Sequence, residues 1–421
     1  MQYLTVAETA ERLGVKRETV YAYVSRGMLT SVRSAQRRGS RFAQDEVEGL
    51  AARGREAGEP SGSVERIRTS ISLLGDGGPY YRGVHAGDLA RSGSLEEVAG
   101  LLWETSDPPE FRADPGLLEV ARGTLAALPS GARLTDRIRV AVAAQAAADP
   151  LRADISEVAV TRTAAALLGT TIAALAAAPR TGCGDRERPA ADATPGPIAD
   201  RLWPVLVRPA PKMPGSHRTA TTAPASTGPG PIRLLDAALV LLADHGLAVS
   251  TVAARVAASA RADVHAVVSA GLGALDGRDH GLVSSLAHRF LAEAMDDPVA
   301  ALGDRLRAGV RVPGFGHRIY RGPDPRAQVL FALLREDPTA ERVLTAVDAV
   351  VAGMARGPSP EPNVDLALAA FLHAHHLRAD AGEAMFAVAR TVGWVAHALE
   401  EYREPGLRFR PAGVYVGPRP D

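Results

Sequence analysis

One stretch, Val312 to Arg326, reads VPGFGHRIYRGPDPR and interrupts Ala/Leu-rich helical sequence on both sides. It holds three glycines, three prolines and, with the histidine, four basic side chains. Proline and glycine cost about 3 and 1 kcal/mol in a helix interior, so selection for helix alone does not produce such a run. Pro313 and Gly314 force a turn, and Gly316 frees the backbone beside His317. His317 can donate to a carbonyl oxygen, and the planar fork of Arg326 suits a carboxylate. Together they suit a small substrate that carries both a carbonyl and a carboxylate. The plain alternative is a Pro/Gly turn between two helices.

The first 55 residues read as a separate unit. Val6 to Gly14 has a short helical pattern stopped by glycine, and Glu18 to Val24 forms a second, with Val15-Lys16-Arg17 as the turn. Two short helices with a tight turn can place the second in a major groove. From Arg12 to Arg41 there are eight basic residues and one acidic one, Glu18, on a chain whose formal net charge is zero. Such a local excess is the electrostatic signature of phosphate binding. Lys16, Arg17, Arg33, Arg37, Arg38 and Arg41 are the candidate contacts to duplex DNA, the last four in a potential β-wing. The segment resembles an excisionase or MerR-type helix-turn-helix domain. Residues 56–66 have linker composition.

Overall neutrality argues against a chain-wide nucleic-acid or membrane-surface role. One cysteine, Cys183, leaves neither a disulfide framework nor a cysteine zinc site. With no signal-peptide pattern at the start and no apolar run of membrane-spanning length free of charges, a cytoplasmic location away from membranes is expected.

PGFGHRIYRGPDPR resembles the signature of the citrate synthase family, and the likeness extends from about Ile67 to the C-terminus. It implies a mainly α, two-domain, all-helical citrate synthase fold preceded by the small winged helix-turn-helix domain. The expected division is 1–55, linker 56–66, large domain 67–280, small domain 281–385, and a return to the large domain with a C-terminal arm over 386–421. Residues 67–83 read as two short strands around a Gly-rich turn, after which helical periodicity dominates. Residues 179–231 read as a low-complexity insertion in which Ile198–Val207 survives as a helix.

The resemblance also implies roles. LLADHGLAVST places His245 on the family's keto-acid histidine and Ser250 on a serine that orients a catalytic histidine. GRDHGLVS places His280 on the catalytic histidine, although Arg278 and Asp279 stand for the family's Pro-Leu, and Val283-Ser284 for its Ala-Asn. PNVD places Asp365 on the catalytic aspartate, beside catalytic His317. Arg326, Arg390 and Arg410 fall on the carboxylate-binding arginines, with Arg410 reaching a neighbouring subunit in a homodimer. Val312, Pro313, Gly314, Phe315 and Gly316 would offer backbone groups to the CoA adenine. The implied reaction condenses acetyl-CoA, or a close acyl-CoA such as propionyl-CoA, with oxaloacetate and hydrolyses the thioester, without metal or tightly bound cofactor. The competing expectation is a DNA-binding regulator that uses a catalytically weak body as a metabolite sensor. His373, His375 and His376 do not share one helical face and read as structural or surface residues.

Overall fold

The computed structural model describes residues 3–13, 15–25, 29–33, 40–44, 46–48, 67–75, 77–177, 196–208, 229–277, 282–355 and 360–409. The chain divides into two compact units, one of residues 1–67 with 408–421 and one of residues 68–407.

In the smaller unit, β1 (Tyr3–Thr5) leads directly into α1 (Val6–Leu13), followed by α2 (Arg17–Ser25), β2 (Val32–Arg33) and β3 (Ser40–Ala43). Helix α1 begins where Thr5 and Glu8 cap each other: the Glu8 carboxylate accepts the Thr5 N–H at 2.7 Å, and Thr5 Oγ1 accepts the Glu8 N–H at 3.3 Å. The antiparallel sheet has the order β1-β3-β2, with Leu4 opposite Phe42 and Val32 opposite Arg41. Ala10, Val20, Leu29, Phe42 and Val47 form its core. The sequence pattern anticipates both helices and the wing; it does not anticipate β1, a three-residue strand with too few positions to show alternation.

The larger unit opens on a three-stranded antiparallel sheet: β4 (Ser72–Gly75), β5 (Gly78–Tyr81) and β6 (Val84–His85), with Leu73 opposite Tyr80 and Tyr81 opposite Val84. Helices follow: α3 (Ala86–Ser92), α4 (Leu95–Trp103), α5 (Pro115–Ala126), α6 (Leu134–Ala148), α7 (Glu157–Ala177), α8 (Ile198–Leu206) and α9 (Pro231–Leu242). Then come α10 (Val249–Ser259), α11 (Val264–Leu275), α12 (Leu282–Asp296), α13 (Pro298–Arg307), α14 (Pro325–Arg335), α15 (Glu341–Met354), α16 (Val364–Ala374) and α17 (Ala381–Tyr402).

Their starts are chemically marked. Ser94 and Glu97 form a full capping box on α4, and Asp114, Asp263, Asp297, Asp324 and Asn363 each accept backbone N–H groups at the head of a helix. Helices α9, α16 and α17 are buried nearly all round and form the centre; α9 and α16 are largely apolar, and α17 also buries Glu383, Arg390, His397 and Glu401. The 21-residue α7 matches a membrane span in length and composition, yet 67% of its most apolar stretch is buried among the other helices, so it is a core helix here. The parts of the expected insertion at residues 179–195 and 209–228 lie outside the described residues; between them α8 occupies the position expected for a surviving helix.

Candidate active site

The Val312–Arg326 loop is zipped onto the segment that starts α16. Gly316 N–H donates to Glu361 O at 2.8 Å, Asn363 N–H donates to Gly314 O at 2.9 Å, and the Asn363 side-chain amide donates to Gly316 O at 2.9 Å. Gly314 and Gly316 have φ of +84° and +80°, a conformation that side chains rarely adopt. These bonds engage several of the backbone groups expected to meet a CoA adenine. They also fix His317 relative to Asp365, which share no contiguous sequence.

His317 is held in one tautomer. Its Nδ1 accepts the backbone N–H of Ile319 at 3.0 Å and of Tyr320 at 3.2 Å. An imidazole nitrogen that accepts carries no proton, so the neutral ring bears its hydrogen on Nε2. Burial, reinforced by the nearby Arg326 cation, lowers the imidazole pKa and favours that neutral form.

Arg326 is buried, and its fork grips Asp324 within its own loop. Nε donates to Asp324 Oδ1 at 3.0 Å and Nη2 to Oδ2 at 2.8 Å. Asp324 also takes the Val364 N–H at 3.1 Å and caps α14. Burial pushes its carboxyl up, but Arg326 more than offsets this and holds it below the usual range. The sequence reading treats the arginine fork as available to a ligand. In the structure one edge of it is an internal strut, a role invisible until DPR is folded over the start of α14.

Asp365 lies in the first turn of α16, where Asn363 Oδ1 accepts its N–H at 3.0 Å. Burial pushes its carboxyl up to about 6, against the pull of Arg326. A carboxylate so poised can accept a proton near neutral pH and release it again.

His245 sits in the turn after α9, with Nε2 3.0 Å from the Tyr320 hydroxyl and its ring edge-on to His317 at 5.2 Å between centroids. Tyr320 also lies against the His317 ring at 4.7 Å, and burial pushes its hydroxyl up to about 12, so it stays protonated. Tyr320 is the residue the sequence reading missed. It stands three places after His317, but its meeting with His245 needs the fold. Arg390 is buried on α17, where its Nε donates to Leu242 O at 2.9 Å, and it is close enough to Arg326 for the two cations to repel. Ser250 is buried at the start of α10. Thus His245, His317, Tyr320, Arg326, Asp365 and Arg390 converge within one unit.

His280 and Arg410 lie outside the described residues, as do Arg37 and Arg38. In the smaller unit, Lys16 and Arg17 are exposed at the head of α2, Arg33 belongs to β2, and Arg41 is half-buried in β3. His373 stacks on His288 at 4.0 Å and His375 pairs with Asp337 at 2.9 Å, each inside the helical body. No group of three metal-ligating side chains occurs among the described residues.

The chain is similar to known proteins. Putative citrate synthase 2 of Mycobacterium tuberculosis is 38% identical over 199 residues, which cover 46% of this chain and 53% of that protein. The chain therefore spans about half the length of that relative. 2-Methylcitrate synthase 2 of Corynebacterium glutamicum is 28% identical over 357 residues, covering 80% of this chain and 88% of that protein. The crystal structure of citrate synthase from Thermotoga maritima superposes with a TM-score of 0.62 at 26% identity, covering 85% of this chain and 95% of that one. A helix-turn-helix domain profile matches residues 3–55. The profile of the citrate synthase C-terminal domain matches residues 62–412, most of the chain, and the protein belongs to the citrate synthase family.

Proposed function

We propose that the protein condenses acetyl-CoA, or a close acyl-CoA, with oxaloacetate and then hydrolyses the thioester. The observation that carries this is the fixed tautomer of His317: two backbone donors on Nδ1 leave Nε2–H as a directed donor beside a buried arginine.

Asp365 takes a proton from the carbon next to the thioester carbonyl, and its raised pKa matches that task. His280 is assigned by family position to hydrogen-bond the enol oxygen. The enol carbon attacks the oxaloacetate ketone, whose oxygen takes a hydrogen bond from His317 as it becomes an alkoxide. One preorganised donor of this kind is typically worth about 3 to 4 kcal/mol of barrier. Arg326, Arg390 and Arg410 clamp the carboxylates with His245 in support, which makes the attack effectively unimolecular. Water then cleaves the thioester and releases carboxylate and CoA thiol. The Val312–Gly316 loop contributes its remaining backbone groups to CoA. Division into a large domain (67–280 with 386–421) and a small one (281–385), and a homodimer that shares Arg410, belong to the same reading. A cytoplasmic location fits these substrates.

The N-terminal unit is assigned to duplex DNA through Lys16, Arg17, Arg33, Arg37, Arg38 and Arg41. The exposed Lys16 and Arg17 at the head of the second helix support this. The body is read as an enzyme, not only a sensor, because a buried carboxyl tuned to about 6 serves proton transfer and is not needed for binding.

The test is thiol release from acetyl-CoA and from propionyl-CoA with oxaloacetate, for the wild type and for Asp365→Ala. Turnover that disappears in the variant supports the reading. A wild type that binds oxaloacetate and releases no thiol from either thioester overturns it and leaves the sensor.

A further inference from the structure

Behind the turn that carries His245 runs a chain of buried polar groups that the reaction does not use. Asp244, His397, Arg255 and Glu401 are each 0% exposed. The Asp244 carboxylate accepts the Ser72 hydroxyl at 2.5 Å and the Gly246 N–H at 2.9 Å through Oδ2. Its Oδ1 is 3.3 Å from His397 Nε2. On the other side of that ring, Nδ1 is 2.8 Å from Arg255 Nη1. A guanidinium has only donors, so Nδ1 is the acceptor and Nε2 carries the hydrogen that faces Asp244. Arg255 continues to Glu401 at 2.9 Å and Glu400 at 2.6 Å.

The chain converges on one short turn with two occupants of the site. His245 lies between Asp244 and Gly246, and the Leu242 carbonyl at the head of the turn holds Arg390 Nε at 2.9 Å. The turn presses on α17 at Gly393, where a Cβ would stand 2.4 Å from Ala243 O and 2.6 Å from Asp244 Oδ1. A buried ionic chain is poor evidence for stability, since apolar side chains of equal volume often do as well. Here the groups are joined in sequence by hydrogen bonds and close ion pairs, and the chain ends on the backbone that aims His245.

We propose that Asp244 and His397 are positioning residues, which set the direction of the His245 imidazole through the Ala243–Gly246 turn and so tune affinity for the keto-dicarboxylate. This rests on the functional reading above.

The experiment is steady-state thiol release by the full chain, with oxaloacetate and acetyl-CoA varied separately, for the wild type, His397→Leu, His397→Gln and Ser72→Ala. Removing the imidazole in His397→Leu is expected to raise the oxaloacetate KM about tenfold, equivalent to about 1.4 kcal/mol, with the acetyl-CoA KM unchanged. Glutamine can accept from Arg255 and donate to Asp244, so His397→Gln should recover most of that loss. Ser72→Ala removes the hydroxyl that donates to the Asp244 carboxylate and accepts from the Gly246 N–H, while that N–H still donates to the carboxylate, and should raise the same KM about threefold. Should His397→Leu fail to fold, Ser72→Ala and His397→Gln decide. An unchanged oxaloacetate KM in Ser72→Ala, or a glutamine variant with an oxaloacetate KM raised as far as that of a folded leucine variant, overturns the inference. A wild type without turnover overturns the functional reading and this inference with it. Turnover with unresponsive variants overturns this inference alone.

Discussion

His317 Nε2 stands 3.3 Å from Arg326 Nη2, and both atoms carry hydrogens. The proton on Nε2 follows from the two backbone amides on Nδ1, and the guanidinium has no other state. Two donors that close cannot satisfy each other. They are arranged for a shared acceptor, and an oxygen of a carbonyl or carboxylate is what the pair can bind. Asp324 balances the Arg326 cation with a bidentate grip on its other edge.

Breaking that grip should be costly. In Arg326→Gln the Asp324 carboxylate keeps its buried position and loses its counter-charge, a change worth about 3 to 5 kcal/mol where a buried pair is broken from one side. Urea unfolding of the single variant should show a loss of that size. The double variant Asp324→Asn/Arg326→Gln should recover most of it, because asparagine can still cap α14 and is neutral. Equal losses in the single and double variants would show that the pair is not coupled.

Asp365 gives a pH signature with two opposite signs. Its folded carboxyl is raised from 3.8 to about 6, so the folded state holds the proton more tightly than the unfolded chain does. The associated stability is present at low pH and is lost as pH rises from the unfolded value through about 6. Catalysis runs the other way: the base must be ionised, so turnover should fall as pH drops below about 6. Asp365→Asn should therefore stabilise the fold at neutral pH, on the order of 2 kcal/mol, while turnover falls roughly a thousandfold. Thermal melts at pH 5 and pH 8 separate the two: the gain from asparagine should appear at the higher pH and shrink at the lower.

How much of this was legible in the chain depends on how local each relationship is. The Val312–Arg326 loop was, because proline and glycine announce a break in helix without reference to anything distant. The helix starts were, because Ser94, Asn363 and their neighbours act on amides two or three residues away. Tyr320 stands inside the same loop and was passed over, since its partner His245 comes from another segment and no spacing encodes that meeting. The Asp244–His397 contact is harder still. A buried imidazole on a helix of alanines and valines looks like any core histidine, and only the lone-pair argument at Arg255 assigns its proton. The double use of Arg326 was hidden by its simplicity: a fork that suits a substrate carboxylate also suits an aspartate two residues away.

Gly393 ties packing to the site. An added methyl group there meets the backbone oxygen of Ala243 and the Asp244 carboxylate, which Ser72 and the Gly246 N–H hold in place. Gly393→Ala should destabilise the fold by about 1 to 3 kcal/mol, the usual result of overpacking. It should also weaken oxaloacetate binding, because the displaced turn carries His245. Calorimetric titration of the folded variant checks this; full affinity would mean that the turn relaxes without moving the imidazole.

The N-terminal unit yields a prediction independent of the chemistry in the body. Lys16, Arg17 and Glu18 are exposed at the head of α2 and Tyr21 one turn further along it, a face suited to a groove. Phosphate contacts release counterions, so affinity for duplex DNA should fall linearly on a plot of log affinity against log salt. Lys16→Ala/Arg17→Ala should weaken binding to all sequences and reduce that slope by about 2, one phosphate contact for each side chain. Glu18 opposes the phosphates on the same face, so Glu18→Gln should tighten binding and leave the slope nearly unchanged. Fluorescence anisotropy across a salt series measures both numbers. Binding that does not respond to salt, or a double variant with the wild-type slope, would remove this helix from the contact surface.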